Sequence, residues 1–176
     1  MTAASARVAP GLATFNTAEA SEVRDRLLAL TASPRWAEEL VSDRPYVDLD
    51  ALLARSDAIL RAVDEAEIDA ALAGHPRIGE RANAAHFDDE AAARSAREQA
   101  GMTSADADQK RELAEVNAAY ERRFGRIYLV AAAGLSAAEL LAKARSRLGN
   151  EPGAELDVVR TELATIARAR LTDWLA

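Results

Sequence analysis

The chain has 176 residues, 49% of them hydrophobic, which is enough to bury one core without staples. It has no cysteine, so a disulfide framework and thiolate chemistry are excluded. A net charge of −7 argues against a nucleic-acid backbone as partner, since that requires a basic face.

Met1 to Leu12 carry neither a long apolar run nor a strong basic start and are expected as a flexible N-terminal tail, leaving residues 13–176 as one domain. No stretch approaches the roughly 20 apolar residues that span a bilayer, and the C-terminus is not a peroxisomal tripeptide. A cytoplasmic protein that contacts neither membrane nor nucleic acid is therefore expected.

Asn16 followed by Glu19 predicts a capping box, with Phe15 as its hydrophobic staple, opening a first helix whose stripe is Ala20, Val23, Leu27 and Leu30. Ser33-Pro34 predicts the N-cap and first turn of a second helix carrying Trp36, Leu40 and Val41, which ends near Arg44 because Pro45 follows. Asp48 caps a third that buries Leu49, Leu52, Leu53, Ile59, Leu60 and Val63. A short fourth runs through Ile68 and Leu72 to Gly74, a residue suited to a left-handed C-terminal position. His75 then opens a loop.

The next helix begins around Phe87-Asp88, presents Ser95, Glu98 and Gln99 together, and ends near Gly101. A strongly periodic one follows with Leu113, Val116, Tyr120 and Phe124. Phe124 to Val130 is the one strand-like run, and a lone strand cannot make a sheet. It reads as a buried extended connection whose backbone groups need partners and which can line a polar pocket. Ser136 and Glu139 form a second capping box, opening a helix that closes at Gly149, and the final helix starts near Ala154. The fold class is thus all-α, a single-domain bundle of about eight helices with one extended segment.

Two anomalies point beyond folding. Gly74-His75-Pro76-Arg77-Ile78-Gly79-Glu80 sets a histidine, the side chain that titrates nearest neutrality, at a break between helices. A Glu paired with it would allow proton transfer at physiological pH. The last helix has the stripe Leu156, Val159, Leu163, Ile166 and then Arg170, a guanidinium where an apolar residue belongs, while Arg168 lies on another face. Such an arginine is paired with a carboxylate, snorkels outward, or lines a cavity that takes an anion.

Taken singly, these residues also have structural readings. A His before Pro serves as a loop or capping residue, Ser95, Glu98 and Gln99 as a solvated helix face, and Tyr120 and Phe124 as core. A helical interaction module without chemistry would need no more. His86 beside Asp88, Asp89 and Glu90 suggests a metal-dependent hydrolase built with His75, but the spacing lacks a helical His-x-x-x-His pattern and an acidic run is ordinary at a helix start. No metal site is assigned.

Taken together, the segment from Gly74 to Glu80, Ser95-x-x-Glu98-Gln99, Asn117-x-x-Tyr120-x-x-x-Phe124-Gly125 and Ile166-Ala167-Arg168-Ala169-Arg170-Leu171 resemble the motifs of the 2-oxo-4-hydroxy-4-carboxy-5-ureidoimidazoline (OHCU) decarboxylase family. The resemblance runs from about Phe15 onward. It implies an all-helical enzyme without cofactor, often a homodimer, that makes S-allantoin from a small-molecule substrate in urate breakdown. By the same resemblance His75 is the catalytic acid/base, Glu98 its partner, and Pro76 the residue that shapes the loop. Ser95 and Gln99 are implied as substrate hydrogen-bonders and Arg170 as the cation that holds the anionic substrate. Gly125, Arg126, Ile127, Tyr128, Leu129 and Val130 are implied as a backbone contact surface. The chain departs from animal members in reading Phe124-Gly125-Arg126-Ile127-Tyr128 for Phe-Gly-Phe-Pro-Phe, and Arg77-Ile78 for Asp-Leu.

Overall fold

A computed structural model describes residues 10–73, 75–79 and 89–176. Among these there are nine α-helices and no strand: α1 (Pro10–Thr17), α2 (Ala20–Thr31), α3 (Pro34–Ser42), α4 (Leu49–Ala62), α5 (Glu65–Ala73), α6 (Asp89–Glu98), α7 (Ala107–Phe124), α8 (Ala137–Arg147) and α9 (Pro152–Leu175), with a 3₁₀ turn at Ala100–Met102. The all-α expectation holds.

Most helix starts follow local chemistry. Ser33 accepts from Trp36 N with Pro34 in the first turn of α3, and Asp48 accepts from Ala51 N at 2.7 Å to open α4. Reciprocal capping boxes start α7, at Asp106 and Gln109, and α8, at Ser136 and Glu139. Gly125 ends α7 at φ +72°, a conformation that costs glycine nothing.

The chain's start differs from the sequence expectation. Residues 1–9 lie outside the described residues, but α1 begins at Pro10 and buries Leu12 and Phe15 completely, with Phe15 edge-on to Trp174 at 5.7 Å. Asn16 lies inside α1 and caps nothing. Its amide instead pairs twice with the Tyr46 backbone, donating to the carbonyl and accepting from the N–H at 2.9 Å each, and Glu19 makes no side-chain cap on α2. A partner distant in sequence outcompetes the local motif.

The interior divides into two apolar clusters. One joins α1 to α5 with α9 and contains Trp36, whose indole N–H donates to buried Ser56 at 2.9 Å. The other joins α7, α8 and the 3₁₀ turn around Leu113, Tyr120 and Leu140. Between them runs the extended segment 127–132, shorter at its start than the sequence suggests because Phe124 is the last residue of α7. Ile127, Leu129 and Ala131 face the first cluster, and Tyr128, Val130 and Ala132 the second, the period-two alternation of a strand packed on both sides.

Gly101, in the 3₁₀ turn after α6, sets how closely that turn approaches the connection into α8. A Cβ there would lie 1.8 Å from the Leu135 carbonyl oxygen, so no side chain fits unless backbone moves. Gly101→Ala should destabilise the fold by about 2–3 kcal/mol, the scale of overpacking, read as a lowered urea midpoint with unchanged slope. An unchanged midpoint would show that the two backbones are not held in contact.

Candidate active site

His75 follows α5 directly. Its N–H bonds Leu72 O at 2.9 Å and its ring Nδ1 lies 2.8 Å from Ala71 O. A carbonyl can only accept, so Nδ1 carries the proton and Nε2 presents its lone pair. The loop beyond is fastened to two helices: Gly79 N–H donates to Gln99 Oε1 at 2.9 Å, Asn117 Nδ2 donates to Ile78 O at 3.0 Å, and Arg77 donates to Glu121 on α7.

Opposite stands Arg170 of α9, 7% exposed. Its Nε and Nη2 each donate to one oxygen of Glu98 at 2.7 Å, a two-point clamp, while Nη1 donates to Leu30 O and lies 3.2 Å from His75 Nε2. The out-of-place guanidinium on the apolar stripe is thus explained by a carboxylate on α6, a histidine after α5 and a carbonyl at the end of α2. Burial, and then the Arg170 cation, push the His75 imidazolium down to about 4. The ring is neutral across the physiological range, with Nε2 available as a base.

These groups line a cavity of about 180 Å³. Pro76 and Ile78 come from the histidine loop, Ser95, Glu98 and Gln99 from α6, and Ile166, Ala169 and Arg170 from α9. The remaining wall is Thr165 of α9 and the stretch of chain from Tyr128 to Ala133. Ser95 is buried and accepts from Gln99 Nε2 at 3.3 Å, so Gln99 links the hydroxyl to the loop.

Of the residues singled out by sequence, His75, Pro76, Ser95, Glu98, Gln99, Tyr128, Leu129, Val130 and Arg170 meet at this cavity. Gly125, Arg126 and Ile127 do not line it. Gly125 terminates α7, Arg126 is paired with Glu65 and Asp69 on α5, and Ile127 packs on the first core cluster. Arg168 is bound to Asp57 of α4 at 2.7 Å, away from the cavity. His86 and Asp88 lie outside the described residues, among which no cluster of three or more His, Cys, Asp or Glu side chains could hold a metal. Sequence reasoning missed Ile78, Ala131 to Ala133, Thr165, Ile166 and Ala169 as lining residues; small and apolar side chains carry no signal of their own.

The OHCU decarboxylase family model matches residues 16–172. The chain belongs to the OHCU decarboxylase family. It is 30% identical over 142 residues to the 2-oxo-4-hydroxy-4-carboxy-5-ureidoimidazoline decarboxylase of Mus musculus, covering 81% of this chain and 79% of that protein. It is also 30% identical over 142 residues to the uric acid degradation bifunctional protein TTL of Arabidopsis thaliana, covering 79% of this chain and 43% of that longer protein. The fold matches a crystal structure of an OHCU decarboxylase in the presence of (S)-allantoin, with TM-score 0.71, 23% identity and coverage of 85% of this chain and 96% of that one. A crystal structure of an (S)-allantoin synthase matches with TM-score 0.68 and 17% identity over 93% of this chain and 54% of that one. The cavity in this OHCU decarboxylase family member therefore sits in a helical frame shared with solved relatives.

The depressed His75 makes a testable contribution to stability. Unfolded, the ring protonates around 6.5, whereas folded it resists protonation down to about 4. The unfolded state therefore binds more protons in that window, and stability falls as pH drops through it. Between pH 7 and pH 5 the wild type should lose about 2 kcal/mol more than His75→Ala, measured by urea unfolding at both values. Equal losses would mean that His75 is not held neutral.

Proposed function

We propose that this chain is a cofactor-independent decarboxylase that converts 2-oxo-4-hydroxy-4-carboxy-5-ureidoimidazoline to S-allantoin in urate degradation, working in the cytoplasm as a homodimer. The observation that carries the reading is the convergence of His75, Glu98 and Arg170 on one cavity in a member of this family. In that substrate the carbon bearing the carboxylate also bears a hydroxyl and adjoins a ring C=N bond. When the carbon–carboxylate bond breaks, its electron pair forms a C=C bond to the neighbouring ring carbon, the C=N π pair moves onto the nitrogen, and the nitrogen gains a proton. No external electron sink is required, unlike decarboxylations that borrow one from a cofactor.

The protein's share is orientation, proton movement and exclusion of water. His75 Nε2 accepts the hydroxyl proton as that carbon–oxygen bond closes to a carbonyl, and the neighbouring carbon gains a proton on one face only. An anionic substrate beside the ring opposes the field of Arg170 and raises the basicity of Nε2 when proton acceptance is needed. Glu98 holds the guanidinium through both oxygens, so the pair directs positive charge at the substrate carboxylate without leaving a bare cation buried. Ser95 and Gln99 supply hydrogen bonds, and the backbone from Tyr128 to Val130 supplies the flat wall.

The test is to generate the unstable substrate in situ from urate with upstream enzymes and follow the circular dichroism of the allantoin formed. Wild type should give the S product, and His75→Ala should give slowly formed racemate while remaining folded. A His75→Ala variant that still forms chiral allantoin at the wild-type rate would remove His75 from the mechanism.

Two arginines on one helix provide an internal control. Arg170→Lys loses the two-point clamp on Glu98 and should lower kcat/KM by about 10²-fold. Arg168→Lys alters a half-exposed pair with Asp57 and should stay within about twofold of wild type. Steady-state kinetics giving equal defects, or a larger one at Arg168, would place the active site on the wrong face of α9.

A further inference from the structure

The wall of the cavity is held by side chains that never reach it. In extended backbone the N–H and C=O of one residue point to one side and those of the next residue to the other. On one side of the segment the Leu129 carbonyl accepts from Arg147 Nη1 at 2.7 Å, and the Ala131 N–H donates to Glu162 Oε2 at 2.8 Å. Glu162 Oε1 lies 3.8 Å from Arg147 Nη1 and 3.9 Å from Lys143 Nζ, so the two anchors also hold each other. The N–H and C=O of Val130 fall on the other side, where no hydrogen bond among the described residues engages them, and Val130 lines the cavity. A peptide donor and acceptor side by side match a ureido or ring-amide group, which offers the complementary acceptor and donor.

We propose that Glu162 is a positioning residue for the reaction: by holding the Ala131 N–H it fixes the depth and tilt at which the Val130 peptide edge meets the substrate. This rests on the decarboxylase reading. Glu162 belongs to the same helix as Arg170, eight residues earlier, a separation of about 12 Å along a helix. One rigid element therefore carries the guanidinium at one end of the cavity and sets the backbone wall from the other.

The readouts are rate, handedness of the allantoin, and amide hydrogen exchange of segment 127–132. E162A should free the Ala131 amide to exchange, lower kcat by about 10-fold or more, and erode the enantiomeric excess because the substrate adopts more than one pose. E162Q keeps a carbonyl oxygen that accepts the same N–H, so it should recover most of the rate and handedness. A role confined to folding would not move handedness in protein that is still folded. E162A that matches wild type in rate and enantiomeric excess overturns the proposal, as does E162Q that is as impaired as E162A. Should E162A fail to fold, E162D, which shortens the arm by one carbon, serves in its place, and full handedness there overturns the proposal too. A wild-type chain with no turnover sinks the decarboxylase reading and this one with it, whereas wild-type turnover with an indifferent E162A sinks this one alone.

Discussion

An extended segment buried between two apolar clusters, with no neighbouring strand among the described residues, must find partners for its backbone or lose more than its side chains gain. Arg147 meets that requirement. Its guanidinium donates to the Leu129 carbonyl and to Glu155, lies 4.7 Å from the centroid of the Tyr128 ring, and is almost wholly enclosed. Glu155 in turn accepts from the Tyr120 hydroxyl and from Asn150 Nδ2 at 2.7 Å, so each buried charge has several partners. A buried ion pair of this kind adds little net stability over well-packed apolar residues, because both ions lose their water. What it fixes is register. With alternate side chains committed to opposite clusters, a slip of one residue would exchange Leu129 for Tyr128 and turn the Val130 peptide edge away from the cavity.

Much of the helical scaffold was legible in the sequence because caps and stripes are local. Ser33, Asp48 and Ser136 act where their spacing says they do. Arg170 was legible as an exception to its stripe, but its partner was not: Glu98 is 72 positions away and looks like any exposed helix carboxylate. Arg147 and Glu155 were invisible for the same reason, since charged residues on helices are ordinary until packing encloses them. Asn16 shows the converse, a complete local signal overridden by Tyr46. Gly125 to Ile127 were assigned to the site because the motif is contiguous in sequence, whereas the chain turns the segment toward the cavity only from Tyr128.

The site is a balance of charge rather than an excess of it. Arg170 is matched by Glu98, and burial together with the Arg170 cation outweighs the pull of the Glu98 carboxylate and keeps His75 neutral. The arrangement suits the proposed anionic substrate, whose carboxylate leaves as neutral carbon dioxide while the charge left on the ring is quenched by a proton, because the pocket's own charges already nearly cancel once the product forms.

The bond from His75 Nδ1 to the Ala71 carbonyl makes the imidazole a dead end rather than a wire. A serial relay needs a second acceptor that can carry a proton onward, and an amide carbonyl in a helix is not one. Under the proposed acid/base role, a proton taken up at Nε2 must leave at Nε2, on the side that faces the cavity. On that reading the tether at the back of the ring is a source of stereochemical memory, because one lone pair faces both the oxygen that gives up a proton and one face of the neighbouring carbon.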